Sequence, residues 1–153
     1  MKLTENFTLS ELYKSQTAIR LGINNEPKDV EIIENMRQLC INVLQPIRNY
    51  YGVPFVPSSC YRSPALNSAV GGESTSQHLR GEAADIEIPG VSNYDLACFV
   101  RDNIKFDQLI LEFYVEGKLD SGWVHVSYTN KKPLRREVKT KSAGKPYKQG
   151  LIK

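Results

Sequence analysis

The chain holds two histidines, and each lies at the centre of a segment rich in groups that suit metal chemistry. His78 stands in Ser76-Gln-His-Leu-Arg-Gly-Glu-Ala-Ala-Asp85, and His125 in Gly122-Trp-Val-His-Val-Ser127. A pair of neutral imidazoles and one carboxylate is a sufficient protein ligand set for a catalytic zinc, which keeps its remaining position open for water. His78, Asp85 and His125 are therefore the candidate metal ligands, and zinc-assisted hydrolysis is the chemistry they would serve. The same spacing also arises by chance, and a histidine on a strand is often a satisfied or solvated side chain.

Local sequence supplies elements that would position these groups. Gly81 lets the chain turn between His78 and Asp85, and Ala83-Ala-Asp-Ile-Glu-Ile88 then alternates with the period of a strand. Asp85 and Glu87 fall on one face, with Ile86 and Ile88 on the other. In Trp123-Val-His-Val-Ser-Tyr128, His125 shares a face with Trp123 and Ser127, while Val124, Val126 and Tyr128 take the apolar face. Asp107-Gln-Leu-Ile-Leu-Glu-Phe113 reads as a further strand. A hairpin that sets Glu112 opposite His125 also sets Leu111 against Val126 and Phe113 against Val124, so hydrophobic register and chemistry agree. Glu112 is accordingly the expected general base, since a carboxylate inside an apolar run is poorly explained as a core residue. The exposed face of an edge strand is its alternative setting, and Glu87 is the weaker candidate base.

Ser76-x-His78-x-x-Gly81-x-Ala83-x-Asp85, followed by Gly122-Trp-Val-His125, resembles the signature of the M15 peptidases, the zinc D-Ala-D-Ala carboxypeptidase and murein endopeptidase group. The likeness runs from Phe7-Thr-Leu-Ser-Glu11 through Tyr61-Arg-Ser-Pro-Ala-Leu-Asn67 to about Val138 and is greatest for the small phage and bacterial branch. It implies the fold shared with the hedgehog signalling domain, Zn2+ as cofactor and peptidoglycan stem peptides as substrate. It also assigns Arg62 to polarising the substrate carbonyl or binding a substrate carboxylate. Ser76 and Gln77 are expected to shape the loop or touch substrate, and Trp123 to line the cleft. Many relatives carry a glutamate at the position of Gly122. The departure implies either a base from another strand, for which Glu112 is the choice, or a non-catalytic zinc-stabilised binding domain such as the hedgehog relative. The D-Ala-D-Ala, L-Ala-D-Glu and cross-bridge bonds all stay open as targets.

A chain of 153 residues with 41% hydrophobic and 24% charged side chains fits one domain with a real core. No run approaches a membrane span, and Met1-Lys-Leu-Thr-Glu-Asn-Phe7 lacks the apolar region of a signal peptide. Synthesis in the cytoplasm is expected, with phage-type release or virion carriage bringing the protein to the cell wall, and a monomer is expected. Cys40, Cys60 and Cys98 sit in apolar contexts without a CxxC pairing and read as buried free thiols. The net charge of +3 is uneven, because residues 131 to 153 carry nine Lys or Arg against Glu137 alone. Residues 1–140 are expected to form the peptidase domain and 141–153 a basic tail, suited to an anionic envelope surface or simply solvated. Nucleic acid is the weaker partner, as no groove-reading helix or aromatic platform beyond Tyr147 accompanies the basic residues.

Thr8 and Glu11 form a capping-box pattern for a helix over Leu9 to Lys14. Val30, Ile33, Met36, Cys40, Val43, Leu44 and Ile47 recur at helical spacing and predict the longest helix from Pro27 to about Tyr50, kinked by Pro46. Ser63-Pro64 starts another, and Ser92 with Asp95 caps one over Asn93 to Asp102. Leu134 to Lys139 suits a last edge strand. N-terminal helices packed on a small antiparallel sheet make an α+β domain.

Overall fold

The computed structural model describes residues 1–153. A small hairpin, β1 (Lys2–Thr4) and β2 (Phe7–Thr8), leads into α1 (Leu9–Tyr13). The capping box forms as expected: Thr8 accepts from the amide of Glu11, and the Glu11 carboxylate accepts from the amide of Thr8. A helix not expected from sequence, α2 (Gln16–Leu21), follows, capped by the Ser15 hydroxyl and ended by Gly22 in the left-handed region.

The apolar stripe between Val30 and Ile47 is core, but it is not one regular helix. Asp29, and not the region of Pro27, caps α3 (Val30–Leu39). Cys40–Leu44 then widens into a π turn, and α4 (Gln45–Tyr51) completes the run to Gly52. Pro46 has no amide to donate and its ring crowds the carbonyl one turn earlier, so a wider turn just before it eases the clash that would otherwise bend the helix sharply. Ser63 and Pro64 open α5 (Pro64–Ala69) as predicted, and Ser92 caps α6 (Asn93–Asn103).

The main sheet runs β3 (Ala83–Ile86), β5 (Trp123–Ser127), β4 (Gln108–Glu112), β6 (Glu137–Lys141) and β7 (Lys148–Gln149) in that spatial order. β5 runs antiparallel to both of its neighbours, β3 and β4, whereas β6 lies parallel to β4 and is covered at its outer edge by β7. The strand expected at the edge is thus internal, and the sheet is mixed. Residues after 140 return to it: Thr140 donates to the carbonyl of Gly150 at 2.8 Å and accepts from the amide of Ile152 at 3.1 Å.

One face of this sheet is apolar. Ala84, Ile86, Leu109, Leu111, Val124 and Val126 share a core with Met36, Leu39, Val43 and Ile47 of the long helical run and with Leu96 and Val100 of α6. The opposite face carries Asp85, Ile110, Glu112, Trp123 and His125, so the period of two that buries one side also delivers the polar groups together on the other. No helix is long and apolar enough to cross a membrane.

The basic residues of the C-terminal block are largely engaged. Lys131 pairs with Glu31, Lys148 with Glu116 at 2.8 Å, and Lys139 with Glu137 at 3.2 Å. The Arg136 guanidinium lies 4.1 Å from the centre of the Phe106 ring and donates to the carbonyls of Ile104 and Arg101.

Candidate metal centre and active site

His78 sits in a single 3-10 turn, Gln77–Arg80, capped by the Ser76 hydroxyl, which accepts from the amide of His78 at 3.2 Å. Gly81 ends the turn with a φ of 72°, and its own position is tight against Met36 and the carbonyl of Ile32. The chain then enters β3, where Asp85 pairs directly with His125 across the ladder to β5. All three side chains are buried, and their ligand-capable atoms lie within 4.8 Å of one another.

The donor geometry fits a tetrahedral ion. His78 Nε2 is 3.5 Å and His125 Nδ1 is 3.0 Å from Asp85 Oδ1. Ligand atoms around a zinc with bonds of about 2.0–2.1 Å stand roughly 3.4 Å apart, so only small adjustments would be needed. His78 Nδ1 is 2.6 Å from the carbonyl of Cys60. A carbonyl can only accept, so the proton resides on Nδ1 and the lone pair of Nε2 faces Asp85. Burial lowers the pKa of His78 more than Asp85 raises it, which keeps the ring neutral and able to coordinate. For Asp85, burial acts upward, but the hydrogen bond from His125 and the close approach of both imidazoles outweigh it and hold the carboxyl well below the usual range. The Cys60 thiol beside this cluster is pushed far above the ordinary thiol range by burial, and that of Cys40 to about 12 by the same cause.

Arg62 is fixed from several sides. Its Nε donates to Ser59 Oγ at 3.1 Å, Nη1 to Asn67 Oδ1 at 3.2 Å, and Nη2 lies 3.7 Å from Asp85 Oδ2. A Cβ on Gly72 would come within 2.2 Å of Asn67 Oδ1 and 3.0 Å of Arg62 Nη1, so this glycine leaves the room the pair needs.

Glu112 is on the same sheet face as His125, but not directly opposite it. Ile110 occupies that place, Glu112 pairs with Trp123, Leu111 with Val124 and Leu109 with Val126. The expected register is therefore off by two, a slip that keeps Glu112 and Leu111 on their predicted faces, whereas Phe113, expected on the buried side against Val124, is half exposed and lines the cleft. The cause of the slip is Phe113, which leaves the strand with a φ of 51° and so cannot continue the ladder to Val124. Diagonal neighbours on one face remain within reach of a long side chain. Burial raises the Glu112 pKa above the ordinary glutamate value; His125, Lys141 and Arg62 pull against that rise and Asp85 adds to it.

The site opens into a cleft of about 900 Å³ bordered by Arg62, His78, Asp85, Glu112, Trp123 and His125. Trp123 stacks on Phe113, with centroids 5.0 Å apart, and lines the cleft together with Ser76. Gln77 is also on the lining, but its amide is engaged with Asp107 at 3.2 Å and Arg135 at 3.5 Å. Glu87 lies outside the cleft, exposed, and accepts from Asn93 at 3.0 Å. Sequence reasoning missed the Cys60 carbonyl, Asn67, Asn93 and the pairing of Asp107 with Arg135. An acid at the head of an apolar strand was the visible signal for Asp107, whereas backbone carbonyls and distant partners leave none.

Gly122 has a φ of 68°, and a Cβ there would stand 2.0 Å from the carbonyl oxygen of Glu112. Its own carbonyl accepts from Asn93 Nδ2 at 2.8 Å. A side chain at this position, including the glutamate of many relatives, would force β5 away from the end of β4. Gly122→Ala is expected to lower stability by about 2 kcal/mol or more, from the backbone conformation and the clash together. Urea unfolding measures it, and an unchanged midpoint would mean that the two strands separate without cost.

The Peptidase M15 family model matches residues 5–127, while no curated protein matches the chain. The matched span holds the buried His-Asp-His cluster, Arg62 and Glu112, all converging on one cleft, and because it covers most of the sequence the chain belongs to the M15 peptidases.

Proposed function

We propose that this M15 peptidase is a zinc metallopeptidase that hydrolyses peptide bonds of peptidoglycan stem peptides. The observation that carries the reading is the buried cluster of His78, Asp85 and His125 at one cleft with Arg62 and Glu112. His78, Asp85 and His125 would hold the ion, which when bound supplies Lewis acidity toward the scissile carbonyl and the attacking water. Glu112 takes the proton from that water and returns it to the leaving amine. Its desolvated carboxylate is a stronger base than an exposed one, which suits this task. The planar fork of Arg62, held by Ser59 and Asn67, binds the substrate carbonyl or a carboxylate next to it. Trp123 and Phe113 offer an apolar wall for the small side chains of such a peptide.

A peptidoglycan substrate is supported by the family and by the basic residues along the cleft, since stem peptides carry several carboxylates. Delivery to an anionic envelope by the remaining exposed lysines, after release from the cell in the manner of a phage lysis enzyme, would complement this chemistry.

The test is turnover. The zinc-loaded protein, incubated with synthetic stem peptides of each linkage, is expected to release one defined set of fragments by mass spectrometry. Tight zinc binding with no hydrolysis of any linkage would overturn the enzymatic reading in favour of a zinc-stabilised binding domain.

A further inference from the structure

The cleft has a second basic wall, contributed by residues beyond the matched family span. Asp107, fully buried at the head of β4, accepts from the backbone amide of Arg135 at 2.9 Å, from its Nη2 at 2.8 Å and from its Nε at 3.1 Å. Gln77 completes the arrangement, donating to Asp107 and accepting from Arg135 Nη2. The guanidinium is thereby fixed along its Nε and Nη2 edge, leaving Nη1 for another acceptor. The Arg135 side chain stays 44% exposed although its partner is completely buried. It lines the cleft beside Lys132, and its contact with Gln77 reaches the residue adjacent to His78. A buried ion pair serving only the fold would have no need to present half of its cation to a substrate cleft.

We propose that Arg135, assisted by Lys132, is a binding residue for a carboxylate of the substrate distinct from the group held by Arg62. This rests on the peptidase reading above and specifies its substrate as a peptide bearing an acidic group away from the scissile bond. A guanidinium already oriented by a buried carboxylate loses little freedom on binding, and it favours a carboxylate, with its negative charge and two acceptor oxygens, over a neutral amide that offers one. The positive charge of the C-terminal block would then act inside the cleft as well as on the surface.

The test uses the full chain, zinc-loaded and carrying Glu112→Gln to prevent turnover. Calorimetry compares a synthetic stem peptide that has a free α-carboxylate on its γ-linked D-glutamate with a twin in which that carboxylate is a primary amide. The free acid is expected to bind at least about tenfold more tightly, the scale of a hydrogen bond to a charged group. Adding Arg135→Lys, which keeps a cation against Asp107, should shrink that ratio to a few-fold. In protein without the Arg135 change, the Arg135 side-chain NH resonance should shift with the acid and not with the amide, an observation that needs no second variant to fold. Equal binding of the twins, binding of neither, or a ratio untouched by Arg135→Lys with an unmoved resonance would overturn the subsite. Turnover by protein with Glu112 intact is scored separately: cleavage of both twins at equal rates with no binding preference removes the subsite and leaves the peptidase. A binding preference without cleavage does the reverse.

Discussion

Glu112→Gln is expected to lower kcat/KM on a stem peptide by about 10² to 10⁴ while leaving the fold and the zinc content as they are. Glutamine has nearly the same shape, so the pairing of Glu112 with Trp123 and the buried face formed by Leu109 and Leu111 should persist. What it cannot do is accept the proton of the attacking water and give it back. Because burial raises the pKa of this carboxyl, the base is available only above that raised value, and activity should fall on the acid side accordingly. That acid limb should vanish in the glutamine variant along with most of the rate. Full activity in Glu112→Gln would assign proton transfer elsewhere, although the exposed Glu87 is not among the residues that line the cleft.

Replacing a metal ligand should cost more still. His125→Ala removes one of three donors, and Lewis acidity worth several kcal/mol goes with the ion, so a rate loss of about 10³ or more is expected. Elemental analysis after dialysis should find most of the zinc gone, whereas Glu112→Gln dialysed in parallel should retain it. The contrast separates ligand from base within one experiment. Full zinc occupancy in His125→Ala would remove it from the coordination set.

How far the sequence could be read depended on the range of the interactions involved. Period-two alternation put Asp85 and His125 on polar faces and buried Ile86, Val124 and Val126, and these placements hold because the pleat leaves no other choice. The register of β4 against β5 was off by two because alternation is blind to an even slip, and the deciding feature, the left-handed backbone at Phe113, has no signature in a bulky aromatic residue. Local caps at Thr8, Ser63 and Ser92 were legible for the opposite reason, since donor and acceptor lie within one turn. The parallel pairing of β6 and the grip of Asp107 on Arg135 depend on packing between distant segments, and no local pattern encodes them; Pro46 marked a break in the long helix, but not its form as a π turn.

The buried thiols near the centre bear on where such a protein can work. A thiol reacts with oxidants and with disulfides as its thiolate, and the pKa of Cys40 near 12 leaves almost none of it at neutral pH. Complete burial pushes the Cys60 thiol well above the ordinary thiol value too, although the carbonyl of the same residue is the group that orients His78. Oxidising either sulfur would require the core around Met36 and Ile86 to open first. These cysteines are thus chemically silent while the fold persists, and the metal cluster needs no reducing surroundings to keep its neighbours intact.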